Sequence, residues 1–236
     1  MNRRTAAAWL ASLLAAGCGG GGGGGTEGAG APAPAGDPAP APAPSAFVGS
    51  NGIALWGDSM IPGVARAFTY MWQPPRPIFD GGIAGQTSGQ IAARVVADND
   101  HRDWITIFWM GHNNDTQPEQ IKADIAASVG HLAPGNNRFI VLSVINKGDG
   151  TEDRGSPNYD IIMKLNAELA AIYPNNFLDL RSFMVAQSDP ANPQQADDLR
   201  RDLPSSALRF DGIHLTGSGD EVVGRRLIDH IFGKGW

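Results

Sequence analysis

The chain has 236 residues, 42% of them hydrophobic, with 18 basic against 24 acidic side chains and a formal net charge of −6. That length holds one domain of ordinary size with a segment to spare, and an acidic balance without a basic stripe excludes nucleic acid and anionic headgroups as natural partners. The single cysteine excludes an intramolecular disulfide, so the fold must stand on its core.

The spare segment comes first. Arg3 and Arg4 form a basic start, Thr5 to Ala16 a short apolar run, and small residues follow; this is the layout of a secretion signal. The run is too short for a permanent bilayer span, which takes about 20 apolar residues. Leu14-Ala15-Ala16-Gly17-Cys18 resembles a bacterial lipobox, although Leu14 lies one place earlier than the usual large apolar residue. The resemblance implies cleavage before Cys18, acylation of its thiol and a protein held at the cell envelope, with a soluble secreted product as the alternative. Loss of Arg3 and Arg4 leaves 16 basic and 24 acidic residues, a net charge of −8.

Gly19 to Gly25 is an unbroken glycine run, and Ala-Pro alternation continues to Pro44. Neither composition buries apolar surface, so residues 18–46 read as a linker. A phosphate cradle would require a strand before the glycines and a helix after them, and both are missing. As a coil, roughly 28 residues reach on the order of 30 Å. Residues 47–236 then form the folded domain, large enough to bury roughly 70% of its unfolded surface. It shows no internal repeat.

Within that domain apolar runs alternate with helical periodicity. Ile53-Ala54-Leu55-Trp56 has no polar alternation and reads as a strand buried on both faces. It stops at Gly57-Asp58-Ser59, and the spacing of Val64, Ala67, Phe68 and Met71 predicts a helix with Pro62 in its first turn. Ser59 thereby falls at the carboxyl end of a parallel strand, where open α/β sheets place ligands. The competing reading is a strand, a turn and a helix cap, since Asp and Ser both cap helices. Ile78-Phe79 predicts a second strand, and the glycine-rich loop 81–88 leads to Ile91, Ala92, Val95 and Val96 at helical spacing. Gly85 in this loop can offer a backbone N–H to an anion because glycine permits close approach.

Trp104 to Met110, dense in β-branched and aromatic residues, is the third strand. It ends at Gly111-His112-Asn113-Asn114-Asp115, where a neutral amide suits a transient oxyanion and where a turn before a helix would look the same. Ile121, Ile125 and Val129 mark the third helix and Phe139 to Ile145 the fourth strand. The acidic loop 146–158 carries Asp149, Glu152 and Asp153, but their spacing fits no calcium loop, so it reads as solvated. Tyr159 to Tyr173 predicts a helix with Ile162, Leu165, Leu169 and Ile172 on one side, and Phe177 to Leu180 a fifth strand. Residues 181–209 read as irregular, a connection long enough to wall a cleft. They lead to Asp211-Gly212-Ile213-His214 and a last helix from about Asp220 to Phe232 packing through Val222, Val223, Leu227 and Ile231.

Asp211 and His214 are close enough in sequence for one turn to bring carboxylate against imidazole. Such a pair fixes the tautomer and leaves Nε2 free to take a proton from a serine. Among the other histidines, His101 and His131 fall at helix ends, His230 lies late in a helix, and His112 is a candidate to line the cleft. Gly57-Asp58-Ser59, Gly85 in Ala-Gly-Gln-Thr-Ser, Asn113 in Gly-His-Asn-Asn and Asp211-Gly-Ile-His214 together resemble, in order, the four blocks of the SGNH, or GDSL-type, serine hydrolases. The resemblance spans Gly52 to Phe232. It implies Ser59 as nucleophile, His214 as general base and acid, Asp211 as its orienter, and an oxyanion hole from the Ser59 N–H, the Gly85 N–H and the Asn113 side chain. Asn114 stands where Asp is commoner, a variant similar to the Gly-x-Asn-Asn of platelet-activating-factor acetylhydrolase-like members, and is a possible substitute for Asn113. Leu215 replaces a usual Pro.

The alternation predicts a three-layer α/β/α flavodoxin-like domain with five parallel strands ordered 2-1-3-4-5. It lacks the Gly-x-Ser-x-Gly elbow of the α/β-hydrolases. The expected activity is ester hydrolysis without cofactor or metal, on a small-molecule or polysaccharide ester, with the membrane reached only through a lipid on Cys18. No apolar lid suited to long acyl chains is visible, which favours short acyl groups such as O-acetyl. The alternatives are a lysophospholipase- or thioesterase-like acyl hydrolase, and a silent polysaccharide-binding module on the same fold.

Overall fold

The computed structural model describes residues 47–236; the segments read above as an export signal and a linker, and Cys18, lie outside them. Five strands, β1 (Ile53–Gly57), β2 (Ile78–Gly82), β3 (Ile105–Trp109), β4 (Phe139–Leu142) and β5 (Phe177–Leu178), alternate with helices α1 (Ile61–Met71), α2 (Ser88–Ala97), α3 (Pro118–His131) and α4 (Pro157–Ile172). Three more helices follow, α5 (Leu180–Val185), α6 (Pro193–Arg201) and α7 (Gly217–Gly233). The strands pair in parallel in the order β2-β1-β3-β4-β5, as the alternating pattern requires.

β1, β3 and β4 are buried along their whole length because both faces are covered. On one face Ile53, Leu55, Ile107 and Ile140 pack with Val64 and Phe68 of α1 and with Val223 and Leu227 of α7. On the other, Ala54, Trp56, Phe108 and Val141 pack with Ile91 of α2, Ile121 of α3 and Leu165 of α4. Two cores thus clamp one sheet, and the chain reverses at its carboxyl edge.

Several expectations need correcting. Residues 181–209 are not irregular: α5 and α6 occupy much of that stretch. α6 reads Pro-Gln-Gln-Ala-Asp-Asp-Leu-Arg-Arg and buries only Asp198, so it has no apolar stripe to reveal it. It starts where the Asn192 side chain accepts from the N–H groups of Gln194 and Gln195 with Pro193 in its first turn, a regular N-terminus. β5 ends at Leu178 because Asp179 turns the chain and accepts from Ser182 N–H at 3.0 Å, capping α5. Val96 and Ile172, placed inward by helical spacing, are exposed. Among the described residues no helix is long and apolar enough to cross a membrane.

Candidate active site

β1 delivers its serine by ending abruptly. A side chain at Gly57 would run into the Trp109 carbonyl of β3, so only glycine lets β1 lie this close at its end. Asp58 then turns inward and is fully buried; its Oδ1 accepts from Met60 N–H at 3.1 Å and its carbonyl from Ile61 N–H at 3.3 Å. Those bonds anchor the start of α1, whose cap residue Met60 offers no side-chain cap. Ser59 is therefore spared a capping role. Its Oγ lies 3.0 Å from His214 Nε2, although 155 positions separate the two.

The histidine is held by a tight turn. Asp211 Oδ1 accepts from the N–H groups of Ile213 and His214 at 2.8 and 2.7 Å, and Oδ2 lies 2.7 Å from His214 Nδ1. Burial alone would raise the Asp211 pKa, but those N–H groups and the imidazole outweigh it and hold the carboxyl below the usual range. An antiparallel bridge between Arg209 and Leu215 closes the base of the turn, with Phe210 N–H donating to the His214 carbonyl at 3.0 Å. Leu215, in the place of the usual Pro, is buried in the α1–α7 core, so that departure secures the turn by packing.

Gly85 and Asn113 approach the same place. Gly85 has φ +76°, a conformation that favours glycine, and a side chain there would meet open space. Neither the Ser59 N–H nor the Gly85 N–H has an acceptor among the described residues. Asn113 is exposed, and its Nδ2 donates to the Gln86 carbonyl at 3.0 Å and to Asp58 Oδ2 at 3.3 Å. It thus bridges the neighbour of Gly85 to the neighbour of Ser59, with two donors free and the third engaged. Asn114 is not interchangeable with it. Its Oδ1 accepts from Ser88 N–H at 3.0 Å and its Nδ2 donates to Ser88 Oγ at 2.9 Å, inside the protein.

His112, placed as a cleft-lining residue by sequence, is buried beneath the site, with Nδ1 3.1 Å from Asp58 Oδ2 and Nε2 unpartnered. Its inward position goes with the contact to Asp58 at the end of β1, which the motif alone does not convey. Burial would raise the Asp58 pKa; His112, by its charge and its hydrogen bond, prevails and lowers it.

Other contributing residues carried no sequence signal. Arg209, nearly buried, donates from Nε to the Pro204 carbonyl at 2.9 Å, from Nη1 to the Asp211 carbonyl at 2.9 Å and from Nη2 to Asp198 Oδ1 at 2.8 Å. It thereby ties α6 to the turn that presents His214. In the loop 146–158, Lys147 pairs with Asp115 and with the buried Glu152, and Gly148 N–H donates to the Gly212 carbonyl at 2.8 Å. A loop read as solvated is therefore fastened to the site. A cleft of about 170 Å³ opens beside Ser59 and His214, with Phe210 and Asp220 in its walls.

No family model matches the chain, and no curated protein matches it. Among solved structures it is similar to a lipase/acylhydrolase from Enterococcus faecalis, at 16% identity and TM-score 0.57 over 78% of this chain and 96% of that one. It is similar also to an acetyl xylan esterase, at 15% identity and TM-score 0.59 over 76% and 98%. A third is a member of the lipolytic protein G-D-S-L family from Veillonella parvula, at 13% identity and TM-score 0.57 over 76% and 97%. At these identities the shared property is the fold.

Proposed function

We propose that the chain is a serine esterase of the SGNH, or GDSL, type, acting on short-chain acyl esters. The observation that carries this reading is the unbroken relay from Ser59 Oγ to His214 Nε2 at 3.0 Å and from His214 Nδ1 to Asp211 Oδ2 at 2.7 Å, beside two backbone donors without acceptors among the described residues.

The chemistry follows from those atoms. Ser59 Oγ attacks the ester carbonyl carbon while its proton passes to His214 Nε2, and Asp211 stabilises the imidazolium. The carbonyl oxygen, now an anion, takes the free N–H groups of Ser59 and Gly85. Asn113 joins by exchanging its longer bond, to Asp58, for the oxyanion. Each such donor is worth about 2.7–4 kcal/mol in the transition state. The C–O bond to the alcohol breaks as His214 returns the proton to it. Water then attacks the acyl-enzyme by the same relay, releasing the acid and restoring Ser59.

The short acyl preference rests on the small cleft beside Ser59, about 170 Å³, and on the lack of an apolar lid in the sequence. An acyl hydrolase of lysophospholipids or thioesters is the second reading, and a rate series from acetyl to palmitoyl esters separates the two. Export, and tethering through a lipid on Cys18, remain part of the proposal; the run Leu14 to Cys18 motivates them, and radiolabelled fatty acid incorporation lost in Cys18→Ala tests the tether.

The decisive variant is Ser59→Ala. It should abolish turnover of a chromogenic acetyl ester and labelling by a fluorophosphonate probe while leaving the melting temperature unchanged. Wild-type protein that neither turns over esters nor takes the label would instead be a binding module on this fold.

A further inference from the structure

The acyl-transfer steps use Asn113 but give no task to the buried pair behind it. Asp58 is fully buried and His112 is 2% exposed. Oδ1 of Asp58 accepts from Met60 N–H at 3.1 Å, whereas Oδ2 is shared, with His112 Nδ1 at 3.1 Å and Asn113 Nδ2 at 3.3 Å. Because it faces a carboxylate, Nδ1 carries the hydrogen of its bond. The ring stands on edge against the buried Trp109, at 79° and 5.4 Å between centroids. Nε2 has no partner among the described residues. The ring therefore offers no onward path for a proton, and an apolar side chain of similar size would avoid an unpaired buried nitrogen. What an apolar side chain cannot supply is the bond to Oδ2.

That bond matters at the step in which Asn113 exchanges Asp58 for the oxyanion. A carboxylate out of reach of solvent cannot replace a departing donor with water, so the loss costs more than it would at the surface. With His112 in place, Oδ2 keeps a donor when Asn113 leaves. Without it, Asn113 is the only donor to Oδ2 among the described residues. The carboxylate would then hold the amide, and the help that Asn113 gives the transition state would be offset by a bare carboxylate oxygen.

We propose that His112 is a positioning residue of the oxyanion hole: by holding Asp58 Oδ2, it frees Asn113 Nδ2 for the tetrahedral intermediate. It acts through Asp58 and Asn113 and touches no reacting atom. This inference rests on the serine-esterase reading and adds a residue to its machinery.

The test is steady-state kinetics on a chromogenic acetyl ester. His112→Leu, which has no donor, should lower kcat by about 10²-fold, the order of a lost oxyanion-hole donor, with KM nearly constant. His112→Asn gives up the packing on Trp109 but can set its Nδ2 where Nδ1 stands. It should keep kcat within about threefold of wild type, the spread among neutral hydrogen bonds. A role confined to packing predicts the reverse order, because leucine fills the space of the ring and asparagine leaves a gap. In an Asn113→Ala background, His112→Leu should lower kcat by no more than about twofold further, since the donor it serves is gone. Equal losses in the two backgrounds, a kcat for His112→Asn as low as that for His112→Leu, or wild-type kcat in His112→Leu each overturn the positioning role. Where His112→Leu fails to fold, His112→Phe, which keeps a ring against Trp109, takes its place in both backgrounds. Ester turnover in Ser59→Ala, or none in wild type, would overturn the esterase reading instead, so the two failures are distinct.

Discussion

Asn113 and its neighbour Asn114 have the same side chain and opposite surroundings, and the difference assigns them different tasks. Asn113 is exposed, with one amide hydrogen on the Gln86 carbonyl and the other on a long 3.3 Å bond to Asp58, so a stronger acceptor can displace the second. Asn114 is buried, and both ends of its amide are spent on Ser88. Asn113→Ala should therefore lower kcat by about 10²–10³ with little change in KM. Asn114→Ala should leave Ser88 N–H without a partner and Ser88 Oγ with Asp124 alone, and lower stability by about 1–3 kcal/mol. Steady-state kinetics on an acetyl ester, with urea denaturation of each variant, checks the pair; kinetics that fall equally in both would deny the distinction. The meeting of Ser59, His214 and Asp211 was legible because each stands in a short motif whose residue types dictate local geometry. His112 was misplaced because its position depends on a contact with the buried Asp58 at the end of β1, a property of the assembled sheet.

α6 is tied through Asp198 and Arg209 to the turn that carries His214, and it was invisible in the sequence. Helical periodicity is detected through apolar spacing, and α6 buries only an aspartate. The fully buried strands β1, β3 and β4 posed no such difficulty, since unbroken apolar runs have few alternatives in an alternating α/β chain. What α6 contributes is Asp198, which is 4% exposed against Arg209 at 9% and also accepts from Ser206 N–H at 2.6 Å. Arg209 spreads its planar fork over Pro204, Asp198 and Asp211, and a lysine cannot reproduce three divergent bonds. Arg209→Lys keeps the charge and lets the turn drift. Because misplacement of a catalytic group by about 1 Å can lower the rate by about 10²-fold, kcat on a short acyl ester should fall by about 10–100-fold, with KM nearly constant. An unchanged kcat would show that the bridge between Arg209 and Leu215 and the bond from Gly148 to Gly212 hold the turn without the guanidinium.

At the scale of the whole molecule, the carboxylates divide into two groups with opposite responses to acid. For Asp58, Asp98, Asp202 and Asp211 burial would raise the pKa, but it is outweighed: by His112 at Asp58, His101 at Asp98, Tyr159 and Arg181 at Asp202, and the Ile213 and His214 donors at Asp211. Their folded pKa values lie below the unfolded ones, so the stability they add is present above about pH 4 and is lost as pH falls through the folded values. Asp220 runs the other way. Its folded pKa of about 6 exceeds the unfolded one, so the folded state holds the extra proton between about 4 and 6. The penalty is complete above that range and vanishes below it. The melting temperature should accordingly hold or rise from pH 7 to 5 and then drop steeply below 4. Asp220→Asn removes only the opposing contribution, on the order of 2–3 kcal/mol at pH 7. It should raise the melting temperature there by on the order of 5 °C and leave it unchanged at pH 4. A variant no more stable than wild type at pH 7 would mean that Asp220 is already well solvated or paired.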